Sequence, residues 1–204
     1  MRIRSLDHNL SLIETLEINL AEDALSLYPA IVGFRFNYVI SETSTASPIS
    51  SIHTSPIDRL ILKTIRMSAD LVVTTGLTAR LERLSAPATT PFLILTREST
   101  LVVPATMSPS KVPVTGSLAD YLERLKLEYP SIALEVGLRT AKELAAQQLL
   151  DEVCLTITGV TSGRKALAKL AGFLNSIGFT GKIQHTLNLE NTWLFRVIAT
   201  GNPE

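Results

Sequence analysis

Apolar and polar positions along this 204-residue chain follow two rhythms, and the changes between them lay out its elements. Within residues 1–30, Ile13, Leu16, Leu20, Ala24 and Leu27 recur at steps of three and four with acids between them. That spacing predicts an N-terminal helical extension. From residue 31 onward strands alternate with helices. Residues 31–40 read as a strand, with Val32, Phe34, Phe36, Tyr38 and Ile40 on one face and Arg35 and Asn37 on the other. Residues 41–54, rich in Ser, Thr and Pro, read as loop. Ser55-Pro56-Ile57-Asp58 then offers a hydroxyl cap, a proline in the first turn and an acid three residues after the cap. Ile57, Leu60, Ile61 and Ile65 supply the buried stripe of the helix that follows.

Further strands are expected at 71–75, 92–96 and 112–115, with a weaker one at 101–103, and a helical turn at 78–84 that Pro87 stops. Ser117 and Asp120 cap a helix whose Leu118, Tyr121, Leu122 and Leu125 align. Residues 131–158 carry the strongest signal: a strand, the turn Glu135-Val136-Gly137, a helix and another strand, with Thr140 and Glu143 at capping-box spacing. Strand, turn, helix, strand is a crossover unit that favours parallel pairing. A helix from about residue 164 to 177 is stopped by Gly178. Residues 183–189 and 193–199, joined by Glu190-Asn191-Thr192, read as an antiparallel hairpin. The pattern therefore predicts a single α/β domain with a mixed sheet, and fold class alone assigns no function.

Composition narrows the field. Hydrophobic residues at 46% and charged residues at 19% support a buried core. Nineteen basic side chains balance nineteen acidic ones, which removes any general pull toward nucleic acid or an anionic membrane. No apolar run reaches the ~18–20 residues of a spanning helix. Arg2, Arg4 and Asp7 precede any apolar stretch, unlike a secretory signal. The expectation is a cytoplasmic domain without membrane or nucleic-acid partners. Cys154, the one cysteine, cannot form an internal disulfide or a multi-cysteine metal site, and it fits a reducing compartment. Between Val153 and Leu155 it reads as a small core residue.

In an open α/β sheet, ligands gather beyond the carboxyl ends of parallel strands. At Glu135-Val136-Gly137 the glycine lets backbone approach a ligand and the next helix start favours a phosphate; equally, Gly137 could simply make the turn. The turn Thr74-Thr75-Gly76-Leu77-Thr78 carries the same two readings. Phosphate-loop, dinucleotide and zinc-protease signatures are absent. His8, His53 and His185 lie too far apart for metal-ligand spacing, so no metal is expected, and Trp193 reads as a packing anchor. Arg35 and Asn37 form a polar face on a buried strand, which must be paired, meet a ligand or face solvent.

Three stretches resemble the reductase domain of riboflavin biosynthesis, a member of the dihydrofolate reductase-like superfamily, and the stand-alone pyrimidine reductase-like proteins. Arg35-Phe36-Asn37-Tyr38-Val39-Ile40-Ser41 is similar to that family's first strand. Asp58-Arg59, Leu62, Arg66, Ala69-Asp70 and Thr78 track its helix and the turn that follows. Leu134 through Thr156, with Leu150-Asp151-Glu152 before a strand, is similar to its longest motif. The resemblance implies a single three-layer domain at 31–204: a mixed, mostly parallel sheet, helices on both faces and a C-terminal antiparallel hairpin. It implies an NADPH-dependent reductase acting by hydride transfer on a pyrimidine or related heterocyclic small molecule, as a homodimer. Asn37, Ser41 and Glu135 would then bind substrate. Thr75, Gly76, Thr78, Glu82, Val136, Gly137 and Thr140 would line the cofactor cleft, with Arg80 and Arg83 nearest a 2′-phosphate. No catalytic residue is singled out.

The chain departs from the family at three places. Glu42-Thr43-Ser44 stands where the family has Leu-Asp-Gly. Thr75 and Leu77 stand on two motif glycines, with Gly76 between them, and Val136 and Leu138 replace a glycine and a proline. These departures keep open an alternative: a non-catalytic or substrate-shifted relative that serves as a ligand-binding or interaction module.

Overall fold

A computed structural model describes residues 1–43, 54–82, 87, 89–98, 101, 108–111 and 117–201. Its strands form one mixed sheet of ten, in the order β2-β1-β9-β10-β8-β3-β7-β4-β5-β6. These are β1 (Arg2–Leu6), β2 (Leu12–Glu17), β3 (Gly33–Ser41), β4 (Leu71–Thr75), β5 (Phe92–Thr96), β6 (Ser108–Lys111), β7 (Ser131–Glu135), β8 (Glu152–Thr158), β9 (Gly181–Leu189) and β10 (Thr192–Ala199). The stretch β8-β3-β7-β4-β5-β6 is parallel, and β2-β1-β9-β10-β8 is antiparallel. The helices are α1 (Pro56–Ser68), α2 (Gly76–Glu82), α3 (Leu118–Glu128), α4 (Leu138–Ala146) and α5 (Gly163–Ile177).

The helices divide between the two faces, as the expected three-layer arrangement requires. Ile57, Ile61 and Ile65 of α1 pack with Val72, Ile94, Ala133 and Cys154 on one face. Apolar residues of α3, α4 and α5 pack with Phe34, Phe36, Tyr38 and Leu134 on the other. Fully burying each such aliphatic side chain contributes about 1.5–3 kcal/mol. Local chemistry sets the ends. The Ser55 hydroxyl accepts from the Asp58 amide, Ser117 and Asp120 form a capping box, and Gly178 ends α5 at φ 74°. The C-terminal hairpin is β9–β10.

Residues 1–30 correct the sequence reading: they are not a helical extension. Arg2–Leu6 and Leu12–Glu17 form a hairpin that adds to the sheet edge through β9, and only a short 3-10 turn follows, at Glu22–Ala24. The three-and-four spacing runs from β2 through that turn without marking one buried side: Ile13 and Leu20 are exposed, Leu16 and Leu27 half-buried, and Ala24 buried. The missed signal is Asp7, whose carboxylate accepts from the Asn9 and Ser11 amides and closes the hairpin. β6 was not expected; the strand foreseen at 112–115 lies outside the described residues, and Leu101 is not in a strand. Thr140 and Glu143 do not make the capping box, because α4 starts at Leu138 with Gly137 as its N-cap.

A buried ion cluster ties the centre of the sheet together. Glu152 accepts from Arg35 at 2.5 Å and from Arg196 at 2.7 Å, and so joins β8 to both its neighbours. Arg35 also reaches the Pro29 carbonyl at 2.6 Å and Ser68 Oγ at 3.1 Å, while Arg196 reaches the Leu27 carbonyl at 3.3 Å. Arg35 is thus paired within the fold. Next to this cluster, Asp151 Oδ2 accepts from the Phe34 amide at 2.7 Å. A Cβ at Gly33, where φ is +132°, would lie 1.9 Å from that oxygen, so only glycine fits there. Replacing Glu152 with alanine leaves two buried guanidinium groups uncompensated. We expect a loss of about 3–5 kcal/mol in urea unfolding; a loss below about 1 kcal/mol would mean the cluster is not a buried network.

Candidate functional site

The parallel strands end together along one edge, where β3 closes at Ser41, β4 at Thr75, β7 at Glu135 and β8 at Thr158. Strand parity decides which side chain meets which layer. Phe36 pairs with Leu134 on the α3–α5 side, so the next residues, Asn37 and Glu135, face α1. Asn37 also sits beside Cys154, and Glu135 beside Thr74. The Thr74 hydroxyl donates to the Glu135 carbonyl at 2.6 Å, which fixes the turn after β7.

Glu135 is buried and held by Arg66 from α1, through Nε to Oε1 at 2.6 Å and Nη2 to Oε2 at 2.7 Å. The Arg66 guanidinium lies 5.8 Å from the Phe92 ring centroid. Glu135 therefore meets a cation of its own chain, where the resemblance implied substrate. Asn37 is half-buried and Ser41 Oγ lies 3.3 Å from Thr43 Oγ1.

The residue to which sequence reasoning gives no site role is Asp58, named there in a helix start and in the helix of the family resemblance. It is 6% exposed, at the carboxyl edge, and accepts from Thr54 Oγ1 at 2.5 Å and from the Thr156 hydroxyl of β8. Burial raises its carboxyl above the usual carboxylate range; the two hydroxyls and Arg59 oppose that shift, and Glu135 adds to it. The available signal was its position on the Ile57–Ile61 stripe, where an acid faces the sheet.

The cofactor-side residues separate into two groups. Thr75 Oγ1 lies 3.1 Å from Thr78 Oγ1, and a Cβ on Gly137 would come 3.9 Å from the same Thr78 oxygen, so these three meet at the edge. Thr140 lies in the first turn of α4, whose Gly137 N-cap provides no side-chain bond and whose first turn holds no acid. Its leading amides lack side-chain acceptors, and with Arg139 beside them they suit an anion. Glu82 ends α2 and acts on Tyr38, whose hydroxyl is raised by burial first and then by the Glu82 charge.

Val136 and Gly76 are packed within the fold. Val136 is buried in the α3–α5 core, and Leu138 packs against that core. A Cβ on Gly76 would lie 2.9 Å from Thr96 Oγ1, so that glycine serves packing of α2 on β5. Leu77 points outward, 60% exposed. Of the substituted positions, Thr75 is the one that stays at the edge beside Thr78 and Gly137.

The remaining candidates are structural or lie apart. Cys154 is buried, donates to Glu152 at 3.3 Å, and has its thiol pushed up by burial and by that carboxylate. Trp193 Nε1 donates to the Val160 carbonyl at 2.8 Å. Arg80 pairs with Glu98. His8 is exposed; His185 is half-buried in β9, its basicity lowered by burial and by Arg196. His53 and Arg83 lie outside the described residues. Among the described residues no group of His, Cys, Asp or Glu could hold a metal ion, and no helix is long and apolar enough to cross a membrane.

Two stability measurements check this geometry. Gly76→Ala should lose about 1–3 kcal/mol by overpacking, and Gly137→Ala should stay within about 0.5 kcal/mol of wild type; equal losses would contradict the packing assigned to each. For Asp58 the folded-state pKa is raised, so its contribution is complete below the unfolded value and is lost as pH rises through the folded one. The melting temperature of Asp58→Asn relative to wild type should therefore climb as pH rises above about 4, the unfolded carboxyl's value. A flat or falling difference would contradict a buried, proton-retaining carboxyl.

No protein-family model matches the chain, nor does any curated protein. Solved structures do. RibD of Acinetobacter baumannii is 14% identical with a TM-score of 0.60, over 87% of this chain and 60% of its own, so the chain spans less than two thirds of RibD. A pyrimidine reductase-like protein of Corynebacterium diphtheriae is 13% identical over 88% of this chain and 95% of its own, with a TM-score of 0.61. The riboflavin biosynthesis reductase Rib7 of Saccharomyces cerevisiae is 11% identical over 91% and 93%, with a TM-score of 0.54. At these identities the likeness is one of fold, and the chain has the fold of the riboflavin-biosynthesis reductases.

Proposed function

We propose that the chain is an NADPH-dependent reductase that delivers a hydride to a pyrimidine or related nitrogen heterocycle, with a homodimer as its expected assembly. The observation that carries this reading is one sheet edge bearing both an uncapped helix start at Gly137 and a buried carboxyl at Asp58. The first suits a phosphate; the second suits a nitrogen that gains a proton. The names of the similar structures, a pyrimidine reductase-like protein and a riboflavin biosynthesis reductase, support it.

The residues present fit the dinucleotide. The first-turn amides of α4, with Gly137, Thr140 and the Thr75–Thr78 hydroxyls, would hold its pyrophosphate, and Glu82 would border it. When bound, the dinucleotide supplies the hydride. Asn37 and Ser41 orient the heterocycle at the end of β3. Burial disfavours the charge on Asp58 and so favours a proton on its carboxyl. That proton goes to the nitrogen next to the carbon that gains the hydride. The carboxylate left behind is stabilised by the Thr54 and Thr156 hydroxyls until solvent returns a proton. Hydride transfer rests on orientation and water exclusion, which a buried edge between two helical layers provides.

Titration calorimetry with NADPH, with NADH as control, tests the reading. We expect a micromolar dissociation constant, about −8 kcal/mol, and a loss of tenfold or more in Gly137→Asp, which sets a carboxylate at the helix start. No heat from either nucleotide at several temperatures would overturn it.

A further inference from the structure

The sheet edge that carries Gly137 continues beyond it, and the side chains on its far side bear on which dinucleotide fits. The strands run in the order β8-β3-β7-β4-β5. Asn37 and Ser41, which orient the heterocycle in the reading above, belong to β3, and Gly137 follows β7. With the pyrophosphate at Gly137, the adenosine half of a dinucleotide crosses β4 and β5 next, two strand spacings or about 10 Å. Thr75 ends β4 level with Leu95, and Thr96 ends β5. Thr96 Oγ1 lies against Gly76, where a Cβ would come to 2.9 Å, and accepts from the Glu98 amide at 3.0 Å. That bond holds Glu98 beside α2, where Arg80 donates to its carboxylate through Nη1. Both side chains are half-exposed, so a ligand can reach them.

We propose that Arg80 and Glu98 are a specificity pair: Glu98 engages the cation that a 2′-phosphate would use and offers an acceptor to a 2′-hydroxyl, so the site admits NADH and NADPH alike. The proposal rests on the reductase reading and deepens it. A carboxylate suits a ribose 2′-hydroxyl and an arginine suits a 2′-phosphate; here one contact joins the two. Together they are neutral toward the phosphate, whereas either one alone presents a full charge to it. An exposed ion pair is weak enough for a ligand to compete with it, and neither side chain is part of the buried core, so each can be replaced in a folded protein.

The experiment is calorimetric titration of the full chain and three variants with NADPH and with NADH at low salt, read as the ratio of the two dissociation constants. In wild type the two constants should agree within about tenfold. Glu98→Gln frees the Arg80 cation and removes a negative charge, so NADPH should bind about fivefold more tightly while NADH stays within about twofold. Arg80→Met leaves the Glu98 charge uncancelled, so NADPH should bind about fivefold more weakly, again with NADH little changed. The double variant, neutral like wild type, should fall between the two single variants. Single variants that move the ratio in the same direction, or by less than about twofold, would overturn this proposal and leave the reductase reading standing. A wild-type preference above about a hundredfold for either nucleotide would do the same, since a neutral pair does not supply it. No heat from either nucleotide in wild type and both single variants would overturn the reductase reading, and this proposal with it.

Discussion

Glu152, buried between two arginines, is the constraint on which the rest of the sheet depends. β8 lies between β3 and β10, and its first side chain binds one arginine from each. The remaining guanidinium donors take the carbonyls of Leu27 and Pro29, and the Cys154 thiol donates to the same carboxylate. The chain segment that leads from the edge hairpin to the centre is thus fastened by backbone acceptors to side chains of the sheet. A one-residue slip of β3 would throw Arg35 to the opposite, apolar face, so the cluster sets register as well as holding charge.

That register also sets the height of the cleft. Asn37 lies two residues beyond Arg35 and Thr156 four beyond Glu152, so all four side chains face α1. α1 is itself anchored to the N-terminal segment by Thr64 Oγ1, which donates to the Ala21 carbonyl at 2.9 Å. Its first turn brings Asp58 onto Thr156, and its last brings Arg66 onto Glu135. One helix therefore carries both a buried carboxyl and the cation that pairs with a second one.

Much of this was legible in the chain because local chemistry and tertiary packing agree there. Ser55-Pro56, Ser117–Asp120 and Gly178 mark helix ends at the places where the helices end. Leu150-Asp151-Glu152 was recognisable as a motif, but its meaning was not, since Asp151 meets Phe34 and Glu152 meets Arg196 only across the fold. The helical spacing in residues 1–30 is incidental, since Ile13 and Leu20 are exposed; the hairpin is fixed by pairing to β9, which no local window contains. Asp58 was read as a cap residue because its burial depends on Thr156, remote in sequence.

The substituted glycines show why a motif must be read with its strand parity. Val136 follows Glu135, which faces α1, so Val136 turns into the opposite core, as Leu138 also does; a side chain added there fills the interior and leaves the edge open. Leu77 turns to solvent from the first turn of α2. Gly137 is the position whose Cβ would enter the opening, and it remains glycine, with free space up to the Thr78 hydroxyl. Loss of motif glycines therefore argues against a cofactor only where the new side chain points at the cofactor's place: Val136 turns into the core, while Thr75 brings a hydroxyl to the edge beside Thr78.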